Sequence, residues 1–125
     1  SNSNIAVLAL IGYTSTNLFM DYNRYYTVSG SAGSITFDWG GINQTTYRTL
    51  ADFVTATGLD THSTYGVPSF VSSSLPSPNL HLASGSACVN AGDPASVTGY
   101  QEYDIDMQGR VRNGRVDIGA DETSY

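Results

Sequence analysis

The sequence contains no lysine; its 5 basic residues are all arginine, set against 11 acidic ones. The resulting net charge of -6 and a pI near 4.4 exclude the basic footprint that nucleic-acid binding needs. They equally exclude electrostatic docking on anionic lipid. A single cysteine, Cys88, excludes an internal disulfide, and its small apolar neighbours describe a buried, inert thiol. Long apolar runs are missing as well. The longest, residues 5–11, falls far short of the roughly 20 residues that span a bilayer, so no membrane insertion is expected. That run also lacks the positive flank and small-residue cleavage pattern of an export signal, and it reads as a buried strand. Charged residues make up only 13% of the chain, about half the usual share of ~25%, so polarity must come from other groups.

Those groups are Ser, Thr, Asn, Gly and 9 tyrosines. Such residues fill pleated surfaces, and a lysine-free, tyrosine-rich chain reads as an extracellular or cell-surface β-protein. The hydrophobic fraction of 40% is enough for a core, and 125 residues suit one domain.

Along the chain, residues 5–11 are apolar at both parities, as in a strand buried on both faces. Residues 34–39 alternate, with Ile35, Phe37 and Trp39 on one face and Thr36 and Asp38 on the other, which predicts a half-buried strand. Gly30, Gly33, Gly40 and Gly41 punctuate its ends. Then the period changes. Thr49 and Asp52 are spaced as a capping box, Leu50, Phe53 and Val54 share one helical face, and Gly58 suits a left-handed C′ position. This predicts a short helix at about 50–57. Residues 72–78 form a Ser/Pro-rich connection, too short for a domain linker.

Two C-terminal segments carry a family likeness. They read Leu80-His-Leu-Ala-Ser-Gly-Ser-Ala-Cys-Val-Asn-Ala-Gly-Asp-Pro94 and Asp104-Ile-Asp-Met-Gln-Gly-Arg-Val-Arg-Asn-Gly-Arg-Val-Asp-Ile-Gly-Ala-Asp-Glu122. The pair resembles the C-terminal end of secreted right-handed parallel β-helix proteins, pectate-lyase-like and of the choice-of-anchor Q type. Residues 17–26 resemble the stretch that ends the last regular coils of those proteins. Residues 47–63, with Phe53 in a Trp position, and residues 67–71, with Val67 replacing an acid, resemble the segments that follow. Two departures stand out: Met107 replaces a glycine, and Ala87-Cys88 replaces pro-ala. Met107 cannot cheaply take the positive φ that a glycine supplies, so Gly109 is expected to take over that turn.

The resemblance implies an all-β fold: the C-terminal rungs and cap of a right-handed parallel β-helix with one short α-helix. It implies a single domain 1–125, with end rungs at 1–45, a short helix and return segment at 46–71, and a cap at 79–122. Solenoid ends cap rather than catalyse, and the family's catalytic grooves lie on middle rungs. Exposed rung edges would also allow end-to-end self-association.

Several constellations are candidates for chemistry. Asp104, Asp106 and Gln108 begin like an EF-hand loop, but Arg115 stands where the bidentate acid belongs. Asn90, Asp93, Asp104, Asp106, Asp117, Asp121 and Glu122 supply oxygen ligands for Ca²⁺ in another geometry. On that reading Asp104, Asp106 and Asp117 are the metal residues. The favoured alternative needs no cofactor: these acids accept hydrogen bonds from loop amides and pair with Arg110, Arg112 or Arg115.

Asp60, His62 and Ser63 contain the residue types of a nucleophilic triad, but neighbours in an extended chain point to opposite faces. His62 follows a helix end, where bonding to free carbonyls is ordinary. His81 alternates with Leu80 and Leu82 and is expected to face outward from a strand.

Lyase chemistry on a uronate needs a base and a cation. With no lysine, Arg24 among Tyr22, Tyr25 and Tyr26 is the only basic–aromatic cluster in a coil-like segment. Sugar binding uses exposed aromatics, here drawn from Tyr13, Tyr22, Tyr25, Tyr26, Trp39, Tyr47, Tyr65, Tyr100 and Tyr103. Tyr22, Arg24, Tyr25, Tyr26 and Tyr65 are the best-placed carbohydrate-binding residues; the plainer reading is that tyrosine fills β-surface and Trp39 is core. Asn43-Gln-Thr45 is a glycosylation sequon that matters only in a eukaryotic source.

The expectation is a non-catalytic extracellular module, structural or carbohydrate-associated, ending a larger secreted protein, with polysaccharide as the partner. Two alternatives stand beside it: a fragment of a polysaccharide lyase or glycoside hydrolase, and a self-associating filament or adhesin subunit.

Overall fold

The computed structural model describes residues 4–8, 18–27, 35–40, 45–97, 99 and 102–124. Residues 9–11 of the apolar run, Tyr13, Asn17, Gly30, Gly33, Ser34, Gly41, Asn43 and Tyr100 lie outside the described residues. The chain divides into two compact units, Ser1–Gly66 and Val67–Tyr125.

The first unit contains β1 (Asn4–Leu8), β2 (Arg24–Tyr25), β3 (Ile35–Trp39), β4 (Thr45–Tyr47), α1 (Leu50–Thr57) and β5 (Thr64–Tyr65). β3 is the central strand of a small sheet, parallel to β1 and antiparallel to β4. β2 and β5 form a separate parallel pair, with Arg24 opposite Thr64 and Tyr25 opposite Tyr65.

α1 shows how local sequence sets an element. Thr49 is extended and accepts the Asp52 amide on its hydroxyl at 3.1 Å, capping the first turn. Gly58 takes φ 70° and returns its amide to the Val54 carbonyl at 2.9 Å, ending the helix. The helix buries Phe53 completely. Phe53 stacks on Phe37 with ring centroids 4.6 Å apart, and Trp39 and Tyr47 meet it edge-on. Tyr25 meets Phe37 edge-on at 5.2 Å. Each such aromatic pair adds about 0.5–1.5 kcal/mol beyond the burial of its area.

β3 departs from the half-buried expectation. Ile35, Thr36, Phe37 and Asp38 are all buried, so both faces are covered. Asp38 tolerates this because Thr46 donates its hydroxyl to the Asp38 carboxylate at 2.5 Å.

The second unit opens with an antiparallel pair, β6 (Phe70–Ser72) and β7 (Asn79–Leu82), with Phe70 opposite Leu82. Beyond Leu82 only isolated bridges occur among the described residues, Tyr103 with Gly109 and Arg112 with Arg115. Buried carboxylates satisfy the loop amides there. Asp117 accepts the amides of Asn90 and Thr123 at 2.5 and 2.8 Å, and Asp104 accepts those of Asp106 and Gln108 at 2.9 and 2.7 Å. Asp121 accepts the Leu82 amide at 2.8 Å, and Glu122 accepts the Asp117 amide at 3.0 Å. Cys88 is a free, buried thiol.

These observations overturn the β-helix expectation. The described strands are short and fall into three small sheets, and no solenoid of stacked coils is present among the described residues. A parallel solenoid needs each strand flanked by successive parallel neighbours. Here β3 has a parallel partner on one side only, and its other neighbour runs back antiparallel. In the second unit, aspartate side chains hold the amides that a strand ladder would otherwise pair. The turn at Met107 also differs from expectation. Met107 itself adopts the left-handed conformation, φ 62°, and Gly109 does not.

No helix among the described residues is long and apolar enough to cross a membrane.

Candidate functional site

In the first unit a polar network runs from residue 20 to residue 66. Tyr22 and Asp60 both take positive φ, 55° and 56°. The Asp60 amide bonds to the Met20 carbonyl at 2.7 Å. The Asp60 carboxylate is 1% exposed and accepts from Asn23 Nδ2, Tyr25 Oη and Ser63 Oγ at 2.8, 2.9 and 2.5 Å. Burial and the Asp60 carboxylate push the Tyr25 phenol well above its ordinary range. Asp21 takes His62 instead: its Oδ2 lies 2.7 Å from His62 Nδ1, and its Oδ1 accepts the His62 amide at 2.7 Å. Burial works to raise the Asp21 carboxyl, but the bonds from His62, Tyr22 and Thr61 outweigh it and hold it below the usual value.

This arrangement is not a triad. Ser63 gives its proton to Asp60, while His62 is bound to Asp21, so the two residues answer to different carboxylates. His62 stacks on Tyr22 rather than binding helix carbonyls.

The sequence-selected sugar-binding residues are brought together, though mostly as supports. Arg24 donates from Nε to the Gly66 carbonyl at 3.0 Å and from Nη1 to Thr64 Oγ1 at 2.9 Å. Tyr25 and Tyr65 pack against the aromatic core. Tyr65 Oη bonds to Thr27 Oγ1 at 2.9 Å. Tyr26 alone of the group is exposed.

The feature missed by sequence reasoning lies beside this network. A cleft of about 640 Å³ opens along α1, with Leu50, Ala51 and Val54 as its apolar wall. Thr49, Thr55, Asp60, Thr61, Ser63 and Thr64 also line it, and Tyr65 completes the lining; the hydroxyls of Thr55, Thr61 and Ser63 are donated to Ala51, Asp21 and Asp60. The threonines at 55, 61 and 64 carried the signal, but only α1, the turn that follows it and β5 together bring them to one cleft.

In the second unit, a smaller pocket of about 180 Å³ is lined by His81, Asp106, Asp121, Thr123 and their neighbours. Ligand atoms of His81, Asp106 and Asp121 all lie within 4.8 Å of one another. His81 Nε2 is 3.1 Å from Asp106 Oδ1. Bonding to Asp106 raises the His81 pKa above its ordinary value. His81 faces outward from β7 as expected, and there it is tied into a polar cluster.

Of the acids that the calcium reading drew on, Asp106 and Asp121 belong to this group; Asp104 and Asp117 spend their oxygens on loop amides. Burial works to raise Asp104, but the amides of Gln108, Asp106 and Glu122 outweigh it and hold its pKa down. Burial pushes the Glu122 carboxyl up. Glu122 Oε1 lies 3.3 Å from Arg110 Nη1 as an ion pair, without hydrogen-bond alignment. Arginine-to-carbonyl bonds stand beside these contacts: Arg115 donates to the carbonyls of Gly92 and Ala91, and the charge of Arg112 helps to hold Asp104 down.

Comparison with family models, curated proteins and solved structures finds no match to this chain.

Proposed function

We propose that this chain is a non-catalytic, carbohydrate-associated module that acts outside the cell, and that the cleft along α1 receives a segment of polysaccharide. The observation that carries this reading is the cleft of about 640 Å³ along α1, with its apolar wall and its threonines. That size lies within the range of roughly 300–1,000 Å³ typical of small-molecule sites. A pyranose has an apolar C–H face and a polar edge. Leu50, Ala51 and Val54 suit the face, and the hydroxyls of Thr49 and Thr64 suit the edge. A hydroxyl offers one donor and two acceptor positions. Thr49 and Thr64 each accept one bond, from the Asp52 amide and from Arg24, and keep their own O–H to donate.

The groups that could catalyse are committed elsewhere. Arg24 is held by Gly66 and Thr64, Ser63 by Asp60, and His62 by Asp21. The low charged fraction and tyrosine-rich composition support an extracellular setting.

Affinity electrophoresis through gels containing pectin, alginate, xylan or glucan tests the reading. The chain is expected to be retarded by at least one of them. Ala51→Arg, at an exposed position on the cleft wall, is expected to abolish retardation while leaving the helix intact, because arginine is a good helix former. Equal mobility in every gel overturns the proposal. So does release of unsaturated uronate products by the purified chain.

A further inference from the structure

We propose that His81, Asp106 and Asp121 form a binding site for a divalent transition-metal ion of the zinc type, separate from any sugar site. Four features of the second unit support it.

The donor set is mixed. One imidazole and two carboxylates suit zinc and its neighbours, whereas calcium and magnesium favour oxygen alone. The three donor atoms already lie within 4.8 Å of one another. His81 Nε2 and Asp106 Oδ1, at 3.1 Å, sit near the ~3.3 Å edge of a tetrahedron of zinc ligands. Three protein ligands leave one position for water, the common arrangement of an open zinc site.

The histidine is set in the right tautomer. Asn79 Oδ1 accepts the His81 backbone amide at 3.1 Å, which fixes that atom as the oxygen. The same oxygen lies 2.5 Å from His81 Nδ1, so Nδ1 must carry the hydrogen. With Nδ1 so committed, Nε2 is the atom that faces the cluster, and a metal there would replace the proton that the protonated ring shares with Asp106. An outer partner of this kind orients the ring in most metal-binding histidines.

Asp121 is similarly held. The Leu82 amide binds Oδ2 at 2.8 Å, which fixes the buried carboxylate and leaves Oδ1 for a ligand.

Thr123 supplies the independent sign. It lines the same pocket, is 6% exposed, and its buried Oγ1 has no hydrogen-bond partner among the described residues. A buried hydroxyl left unpaired is unfavourable. Water on a metal held by His81, Asp106 and Asp121 would offer it a partner once Oγ1, now closed to solvent, turns towards the pocket, and about 180 Å³ leaves room for an ion with its water.

The simpler alternative is an ion pair between protonated His81 and Asp106 with no metal. Zinc chloride titrated into the full chain, in a non-chelating buffer at neutral pH, separates the two. Calorimetry is expected to show one saturable zinc site per chain. On the unmutated chain, nitrogen-detected NMR is expected to show the His81 Nε2 resonance shifting with zinc while the His62 ring does not. Asp121→Asn, which keeps an oxygen for the Leu82 amide, should weaken binding at least tenfold. Asn79→Ala, which frees the ring, should weaken it by about 10–100-fold. Calcium chloride should not displace the zinc. Absence of saturable binding, perturbation of His62 instead of His81, undiminished binding by Asp121→Asn, or displacement by calcium each overturns the proposal.

Discussion

Tyr22 and His62 stack face to face, with ring centroids 4.9 Å apart and planes 4° from parallel. Asp21, between Met20 and Tyr22 in sequence, holds the His62 ring and backbone through one carboxylate. Its pKa lies below the ordinary 3.8. A carboxyl lowered on folding adds stability that is fully present above its unfolded pKa and lost as pH falls through its folded pKa. The first unit should therefore lose stability as pH drops below 3.8. Asp21→Asn should lose less over that window. Thermal melts from neutral pH down to about pH 2 check this; parallel curves for the two proteins would count against it.

Asp117 is the carboxylate that holds the second unit's loops together. It takes the amides of Asn90 and Thr123, which are 27 and 6 residues away in sequence. Asp117→Ala leaves both unpaired and should cost about 1–3 kcal/mol for each amide that stays buried. Asp117→Asn keeps one oxygen and should cost less. Urea unfolding measures both, and an unchanged midpoint in the alanine variant would refute the role.

Gly92 is packed against backbone. A Cβ there would stand 2.5 Å from Val116 Cγ2 and 2.9 Å from the Val116 carbonyl oxygen. The Gly92 amide also bonds to that carbonyl at 2.9 Å, so the two segments cannot easily part. Gly92→Ala should destabilise by about 1–3 kcal/mol through overpacking. Gly85→Ala, with nothing within 4 Å of its Cβ position, is the control and should melt close to the parent.

Met107 occupies a left-handed turn at φ 62° with its side chain 73% exposed. That conformation disfavours any residue with a Cβ by about 1–2 kcal/mol, partly offset by the extra freedom glycine loses on folding. Met107→Gly should therefore raise stability by about 0.5–1 kcal/mol. A lower denaturation midpoint in that variant would contradict the turn assignment.

What could be read from the sequence was local. Thr49, Asp52 and Gly58 act through groups a few residues away, so their spacing carried the helix and both of its ends. Phe37 and Phe53 were legible as core positions, but not as a stacked pair. The parallel pairing of β2 with β5 joins Arg24 to Thr64 across 40 residues, and no spacing rule encodes it. The C-terminal aspartates were legible as acceptors for loop amides. Which amides Asp104 and Asp117 hold was not, because every residue carries one and it leaves no sequence mark. The outward face of His81 was legible, but its partners were not, for a similar reason. Alternation with Leu80 and Leu82 describes β7 by itself, whereas Asp106 and Asp121 reach it from loops much further along. The Asn79-Leu80-His81 spacing was the available clue, since residues two apart on a strand share a face.

Chemical-shift mapping of the amide-labelled chain against oligosaccharides from pectin, alginate, xylan and glucan tests the proposed function most directly. The account predicts saturable shifts with at least one of them, centred on residues 49–55 and 61–65, and their loss in Ala51→Arg. No saturable shift with any of the four, or shifts confined to residues 67–124 of the second unit, would contradict it.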